Sequence, residues 1–237
     1  MTWSIVARDE ASGLIGVGVT TCAFAVGARV PFVAAGVGAI ATQAFVNPHY
    51  GSRGLDLLRA GASAEDVARI VTANDDGRAE RQLHLMDAQG RFAAYTGANC
   101  VDWCGHLVRD TFSVAGNMLA GPAVIEETAK AFAANAHLDL ARRFIAALRA
   151  GQAAGGDKRG KQSAAILICD GEEYPYVDIR VDDHPEPLDE LARLEEESWR
   201  RFMHYRKFMP SRARPSGVTE RAELDRLIAD STAKGRS

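Results

Sequence analysis

From Trp3 to Phe45 the chain is built of runs nearly continuous in apolar and small residues, rather than alternating apolar with polar. Strands of that kind belong to a sheet covered on both faces, because a solvated face would need polar side chains at every second position. Trp3–Arg8 and Gly13–Thr21 read as two such strands. The intervening Asp9-Glu10-Ala11-Ser12-Gly13 is turn chemistry, so they form a hairpin. Val30–Ala34 and Gly38–Phe45 repeat the arrangement across Ala35-Gly36. At 237 residues and 47% hydrophobic, the chain has material for one sizeable core.

Helical spacing then takes over. Leu55, Leu57 and Leu58 lead to Gly61, and Ser63 is a helix N-cap with Glu65 and Asp66 in the first turn, followed by Val67, Ile70 and Val71. Glu80–Asp87 and Phe92–Thr96 return to strand, hinged on Asp87–Gly90, and Phe112–Ala115 is a further strand. Leu119–Phe132 and Asp139–Ala150 read as helices, the second with Leu140, Phe144, Ile145 and Leu148 on one face. After the loop Gly151–Gly160, strands are predicted at Ala164–Cys169 and Val177–Val181. Strands, helices, strands, helices, strands make a layered α+β fold over residues 1–184.

Residues 185–237 differ in character. Glu186–Ser198 holds six acids and one Arg, whereas Trp199–Arg214 holds six basic residues and no acid. Leu188, Leu191, Leu194, Trp199, Phe202 and Met203 mark one helical face, so an appended amphipathic helix is expected, ended by Pro210 and Pro215, with a last short helix at Ala222–Ala233. That face suits a subunit contact, and a homodimer or larger homo-oligomer is expected.

Charge and cysteine usage exclude several functions. Lys and Arg total 28 against 31 acids, a net charge of −3, so nothing recommends nucleic acid as a partner. The apolar stretch Ala23–Val46 is broken by Arg29, Pro31, Gln43 and glycines, so no membrane span and no membrane partner are expected. The start shows no secretory pattern, and four cysteines in so long a chain fit reduced thiols in a cytoplasmic protein. Cys100-Val-Asp-Trp-Cys104-Gly-His106 lacks Cys-x2-Cys spacing and a second ligand cluster, so neither metal nor another cofactor is expected.

Four segments offer chemistry. Thr2 becomes the first residue once Met1 is removed, giving a hydroxyl and an amine within one residue; that amine, with an ordinary pKa of about 7.7–8.0, can serve as general base. A threonine at position two also needs no role at all. Gly155–Ala164 crowds Asp157, Arg159, Gln162 and Ser163 just before an apolar strand, able to orient an amine, to form an anion nest, or to be a solvated loop. Thr42, Gln43, Asn47, His49 and Tyr50 end a strand with hydrogen-bonding groups, at a cleft or in an ordinary turn. Gly116-Asn117 supplies either an oxyanion donor or a turn.

Thr2–Asp9, Gly36–Gln43, Gly116-Asn117, Gly155–Ser163 and Arg180–Pro185 together resemble the bacterial domain-of-unknown-function family numbered 1028, grouped with the N-terminal nucleophile (Ntn) hydrolases. The resemblance runs from Thr2 to about Leu194. It implies a four-layer αββα sandwich of two antiparallel sheets with helices outside. By a looser similarity to proteasome β subunits, Thr2 would be the nucleophile, Asp157 and Ser163 would hold its amine, and backbone near Thr42 and Gln43 would form the oxyanion hole. Arg29, Asn47, Tyr50, Arg159 and Gln162 would line the substrate. The proteasome pattern has a Lys at the start of the third strand. Here the nearest basic residue is Arg29, whose guanidinium does not shuttle protons near neutral pH. That leaves the amine to act with Asp157, or a site without activity. The expected function is hydrolysis of a small amide or peptide-like bond in a small-molecule substrate; the alternative is a non-catalytic ligand-binding or assembly protein on the same fold.

Overall fold

The structure, a computed structural model, describes residues 2–236. Met1, whose removal the expected chemistry requires, lies outside them. The chain divides into two compact units, Met1–Leu191 and Ala192–Ser237.

The first unit carries two antiparallel sheets. The six-stranded one contains β1 (Thr2–Arg8), β2 (Ile15–Thr21), β7 (Gly105–Val108), β8 (Phe112–Asn117), β9 (Ser163–Cys169) and β10 (Val177–Val181), in the order β10-β9-β2-β1-β8-β7. The four-stranded one contains β3 (Pro31–Ala34), β4 (Gly38–Ala44), β5 (Arg81–Asp87) and β6 (Phe92–Thr96), in chain order. The hairpin expected from the turn at Asp9–Gly13 is present as the β1–β2 pair, with Trp3 opposite Thr20 and Arg8 opposite Ile15.

Near-continuous apolar strands have both faces covered, and β2 shows how. Val17 and Val19 point into a cluster with Val6, Ala39, Ala41 and Met86, which draws on both sheets. Gly16 and Gly18 point the other way, onto the Phe144 side chain, which would have to give way to an added Cβ standing 3.0–3.2 Å from it. Glycine alternating with valine thus lets a helix approach one face while the other builds the core between sheets.

Helices α1 (His49–Arg59) and α2 (Ala64–Ala73) pack on the four-stranded sheet around Ile40, Leu83 and Leu85. Helices α3 (Ala123–Ala134) and α4 (Leu140–Ala153) pack on each other and on the six-stranded sheet. Ser63 caps α2 by accepting from the Asp66 amide at 3.1 Å, and Asp139 caps α4 through the Arg142 amide at 3.0 Å. Both helix starts were legible from those residues. Trp3 is fully buried on the helix side of β1, where Gly151 of α4 leaves room for its indole.

The appended helix expected before Pro210 is instead two, α5 (Pro187–Ser198) and α6 (Phe202–Arg206), while the last short helix expected at Ala222–Ala233 is present as α7 (Arg221–Lys234). The break falls at Trp199–Arg201. There the Trp199 ring stacks edge-on against His204 at 5.6 Å and lies under the Arg236 guanidinium at 5.2 Å. Those contacts within the second unit favour a turn over continuation of the helix. Among the described residues no helix is long and apolar enough to cross a membrane.

Candidate functional site

Thr2 is the first residue of β1, on the face turned toward the second sheet, and only 8% exposed. Its hydroxyl donates to Thr21 Oγ1, at the end of β2, over 3.2 Å. Antiparallel pairing brings Asn117, the last residue of β8, opposite Thr2. The Asn117 carboxamide reaches the Thr2 carbonyl at 3.5 Å. Strands β1 and β9 begin at this edge, while β2, β4 and β8 end there.

Behind Thr2 runs a chain of buried polar groups between the sheets. Ser4 Oγ donates to Gln43 Oε1 at 2.7 Å, and Gln43 Nε2 donates to Gln82 Oε1 at 2.8 Å. Gln82 Oε1 also accepts from Asn117 Nδ2 at 3.1 Å, and Gln82 Nε2 donates to the Gly116 carbonyl at 2.9 Å. His84 bridges Ser4, 2.7 Å from its Nε2, and Ser113, 2.7 Å from its Nδ1. Because the one Ser4 hydroxyl proton goes to Gln43, Nε2 carries the His84 proton and Nδ1 accepts from Ser113. Burial holds His84 neutral, with its pKa pushed down to about 3.

Asp157 and Ser163 anchor the loop that follows β2. Asp157 accepts from the Cys22 amide at 2.8 Å and the Arg159 amide at 2.8 Å, with the Arg159 guanidinium 3.3 Å away. Ser163 Oγ accepts from the Val26 amide at 3.1 Å and donates to the Ala23 carbonyl at 2.5 Å. Both residues are buried; Ser163 opens β9 opposite Thr21, with β2 between it and Thr2, and Asp157 holds the Cys22 amide next to Thr21. Gln162 donates its side chain to Asp183 and its amide to the Thr21 carbonyl.

The Thr42 amide donates to the Val30 carbonyl, and its hydroxyl to the Asn47 carbonyl. Thr42 faces α1 and α2, opposite to its neighbour Gln43. Asn47 and Tyr50 lie on that outer side, where both donate to Asp75, at 3.1 and 2.8 Å. Arg29 is exposed and donates to the Phe24 carbonyl. The structure therefore gathers Thr2, Gln43 and Asn117 into one network, sets Asp157, Arg159, Gln162 and Ser163 around the loop beside Thr21, and separates Asn47 and Tyr50 from both.

Three non-glycine residues at this edge take left-handed backbone: Ala25 (φ 53°), Ala44 (φ 70°) and Met118 (φ 54°). Ala44 and Met118 directly follow Gln43 and Asn117. Such outliers cluster where a fold holds strained loops at a working site. Phe24 and Phe45 stand 61% and 74% exposed in the same loops.

Sequence reasoning missed Thr21, Gln82, His84 and Ser113. For Gln82, His84 and Ser113 the signal was polar residues on one face of otherwise apolar strands: Gln82 and His84 two apart, Ser113 and Asn117 four apart. Cys100 and Cys104 are free thiols; Cys100, buried, is pushed up to about 11.

A family model described as "Family of unknown function (DUF1028)" matches residues 2–191. The crystal structure of a Silicibacter pomeroyi protein assigned to that same family is similar with a TM-score of 0.86 and 33% identity, over 93% of this chain and 96% of that one. That share extends the likeness past residue 191 into the tail. A comparison with curated proteins gives no match.

Proposed function

The chain belongs to the DUF1028 family, and from that premise we propose that it is an Ntn-type amidohydrolase that cleaves a small amide or peptide-like bond. The two facing sheets, with α3 and α4 on one and α1 and α2 on the other, are read as the four-layer αββα sandwich of that class. The observation that carries the reading is Thr2 itself. It opens a central strand at an edge where Thr21, Asn117 and three left-handed loop residues converge.

With Met1 removed, the Thr2 amine takes the hydroxyl proton as Oγ1 bonds to the substrate carbonyl carbon. The tetrahedral intermediate then collapses, the C–N bond breaks, and the ammonium returns its proton to the leaving amine. Water, deprotonated by the same amine, hydrolyses the acyl ester and frees Oγ1. Asn117 offers its carboxamide to the developing oxyanion. Asp157 and Ser163 fix the Cys22–Val26 loop that walls the nucleophile.

Intact mass of untagged protein is expected to begin at Thr2. Against a library of small amides, Thr2→Ala is expected to reduce turnover to background without loss of stability. Undiminished turnover in Thr2→Ala overturns the reading. Asp157→Asn is expected to lower both rate and stability, by about 1–3 kcal/mol for the latter, because the Cys22 and Arg159 amides lose a charged, buried acceptor.

A further inference from the structure

A cavity of about 500 Å³ opens between α1 and α2, on the outer side of β4 and away from Thr2. Its size suits a small organic molecule. One wall is apolar: Leu57 from α1, with Ile70 and Val71 from α2, each half-buried where a fully solvated helix face would carry polar groups.

The floor is rigid and its charge is already neutralised. Asp75 accepts from Arg81 Nε at 3.0 Å, Tyr50 Oη at 2.8 Å, Asn47 Nδ2 at 3.1 Å and the Gly77 amide at 2.8 Å. The Arg81 guanidinium, foremost among these, holds its carboxyl well below the usual carboxylate range. Burial and the adjacent carboxylate raise the Tyr50 phenol, which therefore stays a donor to Asp75. Asp56, the other acid on the cavity, is paired with Arg59 at 2.8 Å.

Arg53 is different. It lines the cavity one turn along α1 from His49, and among the described residues its guanidinium has neither a hydrogen-bond nor an ion-pair partner. The first turn of α1 carries no acid to offset the positive end of the helix. Every acid on the cavity is thus engaged, while its cation is not.

We propose that this cavity is a binding site for a small carboxylate with an apolar body, the carboxylate held by Arg53 and the body laid on Leu57, Ile70 and Val71. A guanidinium grips a carboxylate through two parallel hydrogen bonds. An ammonium in the same place would meet Arg53 as a like charge, so the site discriminates by sign. The inference does not rest on Thr2: no reaction at Thr2 is needed for binding here.

Three probes of one shape test it by calorimetric titration of the full chain: 4-phenylbutyrate, 4-phenylbutyramide and 4-phenylbutylamine. The carboxylate is expected to bind about tenfold more tightly than the amide, and the amine not at all. In Arg53→Gln the carboxylate is expected to lose that advantage while the amide binds as before. Leu57→Asp is expected to abolish binding of both. Thermal melts of the variants check folding, and Arg53, being exposed, is expected to melt unchanged when replaced. Equal binding of amine and carboxylate, an undiminished advantage in Arg53→Gln, or no binding of any probe up to its solubility limit overturns the proposal. The same titrations on Thr2→Ala protein separate the two sites, since loss of binding there would move it to the strand-end edge.

Discussion

His84 cannot gain a proton without bringing a charge between two sheets, and that gives the fold a pH dependence of definite sign. In the unfolded chain its imidazole titrates near 6.5, and in the folded one near 3. Between those values the unfolded state binds more protons, so stability falls as pH drops below about 6.5 and this group adds no slope above it. Urea unfolding between about pH 7.5 and about pH 4.5 is expected to show the loss. His84→Asn is expected to be less stable at neutral pH by about 1–3 kcal/mol, having stranded Ser4 and Ser113, yet to have a flatter acid limb. Equal slopes in the two proteins would remove His84 as the cause. At Ala44 the left-handed backbone costs about 1–2 kcal/mol, more than the chain entropy that glycine adds, so Ala44→Gly is expected to gain about 0.5 kcal/mol in the same assay. At this scale the sequence singles out as candidates the residues with one conspicuous chemistry of their own, such as Thr2, Asp157 and Asn117. Gln82 and His84 escaped because their meaning lies in which strand faces them, which a single strand does not display.

Elements were readable where local rules decide them. Ser63 and Asp139 mark helix starts through their own side chains, and Asp9–Gly13 and Asp87–Gly90 make hairpins through their own backbone preferences. Strand β7 went unseen because it is four residues long, half exposed, and exists only by pairing with β8. The stretch before Pro210 reads as one helix because its apolar spacing continues through Trp199. What breaks it is a contact with Arg236, far along the chain. The α3–α4 pair makes a sharper statement. A Cβ on Gly151 would sit 2.2 Å from Thr128 Oγ1 and 2.8 Å from Trp3 Nε1. Gly151→Ala is therefore expected to lower stability by about 1–3 kcal/mol, the usual penalty of overpacking, and to perturb the near-UV dichroism of Trp3. An unchanged melt would mean that the two helices part without cost.

For the molecule as a whole, the sequence placed the end of the globular part at 184, while the structure divides at Leu191. Leu188 and Leu191, 5% and 0% exposed, lie in between. A chain ended after Leu191 is expected to unfold cooperatively, and one ended after His184 to be weaker by about 1.5–3 kcal/mol for each leucine lost. In the second unit Phe202 and Tyr205 remain exposed at 48% and 37%, and light scattering of the full chain is expected to report a dimer or larger assembly. A monomer at working concentration would return those residues to ordinary surface. The hydrogen-bonded chain from Ser113 through His84, Ser4, Gln43 and Gln82 to Asn117 has a consequence in heredity. Every member between the ends serves two neighbours at once, so replacing one alone leaves others buried without partners, while replacing several together with apolar groups need not. These six positions are therefore a single unit to mutation: descendants of this chain can keep the whole set or trade it away, but the one-step intermediates between those choices are the sequences least able to fold.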